Sequence, residues 1–197
     1  MKKGEYLTAI LRSKKTVLTY KDILLLWREQ GSEAATVRLY QYARKGDLYR
    51  IRRGIYAKDK NYNQAELATR IFTPSYVSFE TVLAREGVTF QFYSGVFIAS
   101  YLTREITIDG QLYSFRKIRN GILTNPAGVE HRDETSFASK ERAFLDTLYI
   151  HTDYHFDHPG GLDWNKVFDI LPIYGNKRMA KKVKEIFDQA THTRSQL

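Results

Sequence analysis

Apolar residues recur at helical spacing through the first third of the chain and alternate at strand spacing where that third ends. Residues 5–13 set Tyr6, Ala9 and Ile10 on one helical face, with Leu11 beside them, before the polar run Ser13-Lys14-Lys15. Thr16-Val17-Leu18 is short and β-like. Thr19 then precedes an apolar-rich segment, 20–27, with Asp22 at its third position, a capping-box pair that predicts a helix ending near Gly31. Ser32 caps a third helix that runs to Gly46 and buries Ala35, Leu39, Tyr42 and Ala43. Its opposite side carries Glu33, Thr36, Arg38, Tyr40, Gln41, Arg44 and Lys45. Two short helices joined by a tight turn form a helix-turn-helix pattern. Residues 49–52 and 55–57 alternate around Arg53-Gly54, which predicts a β-hairpin with glycine at a position needing positive φ. A hairpin with three arginines directly after such a helix reads as a wing.

Beyond residue 58 the pattern changes. The polar segment 58–63 marks a boundary, giving an N-terminal winged-helix domain at 1–58 and a second domain at 62–197. Asn63 caps a helix with Ala65, Leu67, Ala68, Ile71 and Phe72 as its apolar side, and Pro74 breaks it. A strand at 76–79 leads into a helix closed by Gly87, and 96–99 is a continuous apolar run typical of a central strand. Residues 105–108 and 111–115 flank Asp109-Gly110, a strong hairpin signal. Further short strands are expected at 122–123 and 136–137. Ser139 caps a helix burying Phe144, Leu145, Leu148 and Tyr149. Two helices follow from Trp164, the last over 176–189 with Met179, Val183, Ile186 and Phe187 inward. Strands and helices mix without βαβ alternation, so the expected class is α+β.

Charge sharpens the picture. Fourteen of the 31 Lys and Arg residues, but only five of the 22 Asp and Glu, fall in residues 1–58. The formal net charge of +9 belongs to that segment, and residues 59–197 are neutral. A folded basic module on a neutral body points to a polyanionic partner, duplex DNA first. The residues expected to face it are Lys14, Lys15, Thr19, Tyr20 and Lys21 around the start of the second helix. Ser32, Thr36, Arg38, Tyr40, Gln41, Arg44 and Lys45 join them from the third, and Arg50, Arg52, Arg53 and Gly54 from the hairpin. The helix offers hydrogen-bonding groups to a major groove, and the arginines reach phosphates or a minor groove. A winged helix used only for protein contacts is the alternative.

Catalytic signatures are missing: there is no phosphate-binding glycine loop, dinucleotide fingerprint, nucleophile elbow or H-E-x-x-H helix. Neither an enzyme nor a cofactor is expected. Cysteine is absent, which removes disulfides, thiol nucleophiles and thiolate metal sites. His151, Asp153, His155, Asp157 and His158 lie within eight residues before Pro159-Gly160-Gly161, and could ligate a divalent ion. A solvated loop is the simpler reading, as it is for His131, Asp133 and Glu134. Arg142 and Asp146 form an i,i+4 pair on one helix, read as a structural ion pair beside Glu141. The basic last helix, with Lys177, Arg178, Lys181, Lys182 and Lys184, is equally a wet cationic face or a contact for DNA or an acidic partner. Without a signal-peptide core or a long apolar run, a soluble, cytoplasmic protein with no membrane partner is expected.

Residues 46–57 resemble the G-x-L-x-R-x-x-R-G-x-Y wing of AbiEi-type antitoxins, through Gly46, Leu48, Arg50, Arg53, Gly54 and Tyr56. Residues 76–87 are similar to that family's isg-x-SAL-x-x-x-G stretch, with Phe79-Glu80-Thr81 where small residues are usual. Residues 138–146 are similar to its a-x-x-E-R-A-L-L-D helix. Order and spacing match over roughly 16–150. The resemblance implies a transcriptional autorepressor of a type IV toxin–antitoxin, phage-defence operon. It implies binding to promoter repeats of that operon and protection against a nucleotidyltransferase-type toxin encoded beside it. Two other readings compete. One is an enzyme acting on nucleic acid, with the winged helix as locator and the histidine loop as a metal site. The other is a stand-alone regulator without a toxin.

Overall fold

The computed structural model describes residues 4–91 and 93–194 and is a mixed α+β protein that divides into two compact units, Met1–Ile71 and Phe72–Leu197. The first unit holds α1 (Glu5–Leu11), β1 (Val17–Thr19), α2 (Tyr20–Trp27), α3 (Glu33–Lys45), β2 (Tyr49–Arg52), β3 (Ile55–Ala57) and α4 (Gln64–Ile71). The three strands form an antiparallel sheet in the order β1-β3-β2. Ile10, Leu18, Ile23, Trp27, Ala35, Leu39, Leu48 and Tyr56 make one buried cluster, drawn from α1, β1, α2, α3 and β3 and from the residue before β2. The Trp27 indole N–H donates to the Tyr6 carbonyl at 2.9 Å, so burial of that ring leaves no orphan donor. Leu11 lies outside this core, 47% exposed, because the apolar face of α1 is completed by Tyr6, Leu7 and Ala9.

The boundary expected at 58–62 is corrected: the division falls after Ile71. Asn63 does cap α4, accepting from the N–H groups of Ala65 and Glu66. The helix then ties itself backward. Glu66, 2% exposed, accepts from the Thr16 N–H at 2.9 Å and the Thr16 hydroxyl at 2.6 Å. A carboxylate buried that deeply needs such donors, and they lie on the residue before β1. The charge division survives the shift: Met1–Ile71 carries sixteen basic and seven acidic residues, and residues 72–197 fifteen of each.

The second unit contains β4 (Ser75–Val77), α5 (Phe79–Arg85), β5 (Val96–Ser100), β6 (Arg104–Ile108), β7 (Gln111–Lys117), α6 (Asn120–Leu123), β8 (Val129–Arg132), β9 (Thr135–Ala138), α7 (Lys140–Ile150), α8 (Trp164–Ile170) and α9 (Lys177–Arg194). Its six-stranded sheet runs β6-β7-β5-β4-β9-β8, with β5–β7 and β4–β9 parallel and the other pairs antiparallel. Residues 122–123, expected as a strand, lie in the helical turn α6, where the Arg119 carbonyl accepts from the N–H groups of Ile122 and Leu123. Two apolar residues are too few to reveal a period. The segment around His131 is a strand rather than a loop, reversed through Asp133 and Glu134 at φ 45° and 65°. Without glycine or asparagine there, the hairpin gave no turn signal.

A polar cluster holds this unit together. Asp146, fully buried on α7, accepts from the hydroxyls of Tyr174 (2.7 Å), Ser78 (2.8 Å) and Tyr76 (3.0 Å) and from Arg142 Nε (3.3 Å). Burial pushes its carboxyl above the ordinary carboxylate range, against the opposing pull of Arg142 and the three hydroxyls. Arg142, also 0% exposed, spends its remaining donors on the carbonyls of Ile122 (2.7 Å) and Ala127 (2.6 Å) and on the Tyr76 oxygen (2.9 Å). The pair is structural, as its spacing suggested. Gly128 completes it: a side chain there would sit 2.9 Å from Arg142 Cβ, and φ is +70°. Removing one partner strands the other in the core. We expect Asp146→Ala to lower stability by about 3–5 kcal/mol, measured by urea unfolding; a loss under about 1 kcal/mol, the scale of an exposed pair, would refute the central role given to this cluster.

Candidate nucleic-acid interface

α2 starts at a fully formed capping box. Thr19 Oγ1 accepts from the Asp22 N–H at 3.2 Å, and the Asp22 carboxylate accepts from the Thr19 N–H at 2.9 Å and its hydroxyl at 2.7 Å. Lys15 Nζ (2.6 Å) and Arg70 (3.3 Å) close on the same carboxylate. Burial alone would raise the Asp22 pKa, but the hydrogen bonds from Lys15 and Thr19 and the charge of Arg70 outweigh it and hold the group below its ordinary value. Arg28, in the left-handed region at φ 55°, ends the helix. Ser32 then caps α3 by accepting from the Ala35 N–H at 3.1 Å.

The hairpin after α3 is anchored rather than free. Its turn glycine, Gly54, adopts φ +77°, and the Gly54 carbonyl accepts from the Tyr20 N–H at 2.8 Å. The hairpin tip is thereby fixed against the first residue of α2. Pairing slips between Arg50 and Arg52, so that Arg50 faces Tyr56 and Arg52 faces Ile55. Such a bulge bends the strand and re-aims its side chains.

The residues expected to face DNA divide into two sets. Lys14, Lys21, Thr36, Tyr40, Gln41, Arg44, Lys45, Arg50, Arg52 and Arg53 are exposed. Among the described residues, none of the eight cations in or beside this set that lie at positions 14, 21, 44, 45, 50, 52, 53 and 12 takes an ion-pair partner. The other set is structural. Thr19 and Ser32 are caps, Gly54 is the turn, and the Tyr20 hydroxyl lies 3.4 Å from Thr36 Oγ1 and the Ser32 carbonyl. Lys15 belongs to Asp22.

Arg38 is the principal correction. It does not stand on the outer face of α3. Its guanidinium pairs with Glu29 at 3.1 Å, lies 3.7 Å from the Tyr6 ring centroid and is 5.0 Å from that of Trp27. The Tyr6 hydroxyl donates to the same Glu29 carboxylate at 2.7 Å, and this bond, with the Arg38 contacts, holds the Glu29 pKa down. The signal was available: Arg38 follows Ala35 by three positions and adjoins Leu39, both buried, so it borders the inward stripe. The outer face instead includes Ala34 and Val37, whose apolar side chains carry no polar signal in the sequence; Val37 is 47% exposed.

The histidine segment does not assemble. His151, Asp153, His155, Asp157 and His158 are all exposed. Asp157 accepts from the Phe90 N–H (2.7 Å) and the Thr89 hydroxyl (2.9 Å), which lower its pKa, so it works as a loop clasp. Among the described residues no three acidic or histidine side chains converge as a metal site would require. Nor, among them, is any helix long and apolar enough to cross a membrane. Glu80 and Thr81, the departures from the resembled motif, have structural partners here. Arg116 NH1 donates to both Glu80 oxygens at 2.9 and 2.7 Å, and the Phe97 N–H donates to Thr81 Oγ1 at 2.7 Å. No known family model matches this chain, and no curated protein matches it either.

Because the folded protein depresses the Asp22 pKa, this group contributes its full stability above the unfolded value, about pH 3.9. The contribution disappears as pH falls through the lower folded value. The chain has two tryptophans, Trp27 in the first unit and Trp164 in the second. With Trp164→Phe as background, Trp27 fluorescence should report a first unit that weakens with acid. Asp22→Asn should flatten that dependence, and an unchanged acid profile would show that Asp22 is not its source.

Proposed function

We propose that the first unit is a winged helix-turn-helix module that binds duplex DNA, and that the chain is a sequence-specific transcriptional repressor. The observation that carries this reading is the placement of charge. The whole net charge of +9 lies in Met1–Ile71, and among the described residues the exposed cations of α3 and the hairpin form no ion pair that would neutralise them. Such an array costs self-repulsion unless phosphates offset it. On this reading α3 enters the major groove, while Arg50, Arg52 and Arg53 follow the backbone.

The three-motif resemblance extends the proposal to autorepression of an operon whose second gene encodes a nucleotidyltransferase-type toxin, with this chain as its antitoxin. Physical support comes from the second unit, where Tyr76 and Ser78 of one motif meet Arg142 and Asp146 of another in a single buried cluster. Two stretches that recur together in order have a reason to do so when they build one core. Co-expression with the product of the neighbouring reading frame tests that half: rescue of growth is expected, and unrelieved toxicity would reduce the proposal to a stand-alone regulator.

DNA binding itself is tested by salt. With about five phosphates contacted, log K should fall with log[salt] at a slope near −4.5, a loss of roughly 500-fold between 50 and 200 mM. Arg52→Ala or Arg53→Ala should weaken all duplexes alike and reduce the slope by about one. A slope near zero on its own promoter would sink the reading.

A further inference from the structure

Over its first three turns the exposed face of α3 lacks the side chains that recognise guanine. Guanine is recognised in the major groove mainly by Arg or Lys, bidentate to O6 and N7. A recognition helix reads base edges with its N-terminal turns. In the first three turns of α3, residues 33–43, the one cationic side chain is Arg38. It is committed to Glu29 at 3.1 Å and to the Tyr6 ring at 3.7 Å, and so is withdrawn from the outer face. Arg44 lies seven residues beyond Val37, about 10 Å along the axis, where phosphates rather than bases are met. Glu33, at the helix start, suits the positive end of the helix dipole and is repelled by phosphate.

Outward stand Ala34, Val37 and Gln41, at i, i+3 and i+7, with Tyr40 beside them at 56% exposure; Thr36 is exposed too, but its hydroxyl donates to the Ser32 carbonyl at 3.2 Å and lies 3.4 Å from that of Tyr20. A methyl-bearing surface followed by a carboxamide has a defined complement on DNA. Apolar side chains contact the thymine C5-methyl, and Gln pairs bidentately with adenine N6 and N7. Tyr40 adds a hydroxyl of the kind that reaches phosphate oxygens.

Resting on the DNA-binding reading above, we propose that Val37 and Gln41 are the specificity-determining residues of this protein, and that the base pairs under the first turns of α3 are A·T, read through a thymine methyl and an adjacent adenine. Val37 selects by burying one methyl group. Gln41 selects by donating its amide N–H to adenine N7 while its carbonyl accepts from the N6 amino group. The guanidinium that would otherwise read guanine serves instead to fix α3 against α1 and α2.

Chemical substitution of the DNA tests this on the full chain. A duplex is first selected from a random pool, and each thymine is then replaced singly by uracil and each adenine by 7-deazaadenine. One uracil substitution should weaken binding by about fourfold, the worth of one buried methyl, and should have no effect on Val37→Ala. One 7-deazaadenine substitution should weaken binding by about fivefold, the worth of one hydrogen bond, and should have no effect on Gln41→Ala. Both side chains are exposed, so the variants keep the fold. Enrichment of G·C pairs at the helix-contacted positions would overturn the inference while leaving DNA binding intact. So would uracil and deaza effects that persist in the variants, or unchanged affinity for Val37→Ala, which would make this face a protein-docking surface. Failure to bind any duplex would overturn both this inference and the function it rests on.

Discussion

Three of the seven carboxylates of the first unit, Asp22, Glu29 and Glu66, are used internally, and much of its surface follows from that. Asp22 gathers Lys15, Arg70 and the start of α2; Glu29 gathers Arg38 and Tyr6; Glu66 gathers Thr16 and Arg70. Each acid sits where two or three elements meet, and each takes donors from sequence-distant segments. Acids consumed this way cannot neutralise the outside. The cations of α3 and of the hairpin are left to solvent, and the field of the unit is set by what its interior has already claimed.

The same arrangement determines which arginines are free to act. Arg38 and Arg70 are structural, holding α3 to α1 and α4 to α2. Arg44, Arg50, Arg52 and Arg53 are exposed at the end of α3 and on the hairpin. Counting basic residues would treat these alike. Their roles differ because a guanidinium stacked on an aromatic ring and paired with a carboxylate gives up both when it turns outward, whereas an exposed one gives up only water.

The second unit solves a different problem, that of joining β4, α6, α7 and the turn after α8 in one core. Arg142 and Asp146 do this with a charge pair whose polar atoms are nearly all hydrogen-bonded. Dry, unpartnered charges would be ruinous there, so Tyr76, Ser78 and Tyr174 surround the carboxylate and two backbone carbonyls receive the guanidinium. Among the described residues, three buried side-chain atoms fare less well: the Ser100 and Tyr113 hydroxyls and one Glu66 oxygen lack a hydrogen bond, although Arg70 lies 3.5 Å from that oxygen. Desolvation raises the Tyr113 hydroxyl to about pKa 12, which keeps it neutral.

Local order was legible in the chain. The caps at Thr19, Ser32, Asn63 and Ser139, the turn at Arg53-Gly54, the Asp109-Gly110 hairpin and the concentration of charge all depend on residues within a few positions of one another, where backbone geometry imposes short periods. Tertiary structure alone decided which side chains meet. It turned Arg38 inward, drew α4 back to the first unit, made a helical turn of 122–123 and brought Tyr76 to Asp146, 70 residues away. It also set the strand order β6-β7-β5-β4-β9-β8, which no local pattern encodes. The physical reason is that helix and strand periods constrain which face a residue occupies, while its partner across that face is chosen by burial, and burial depends on the whole chain.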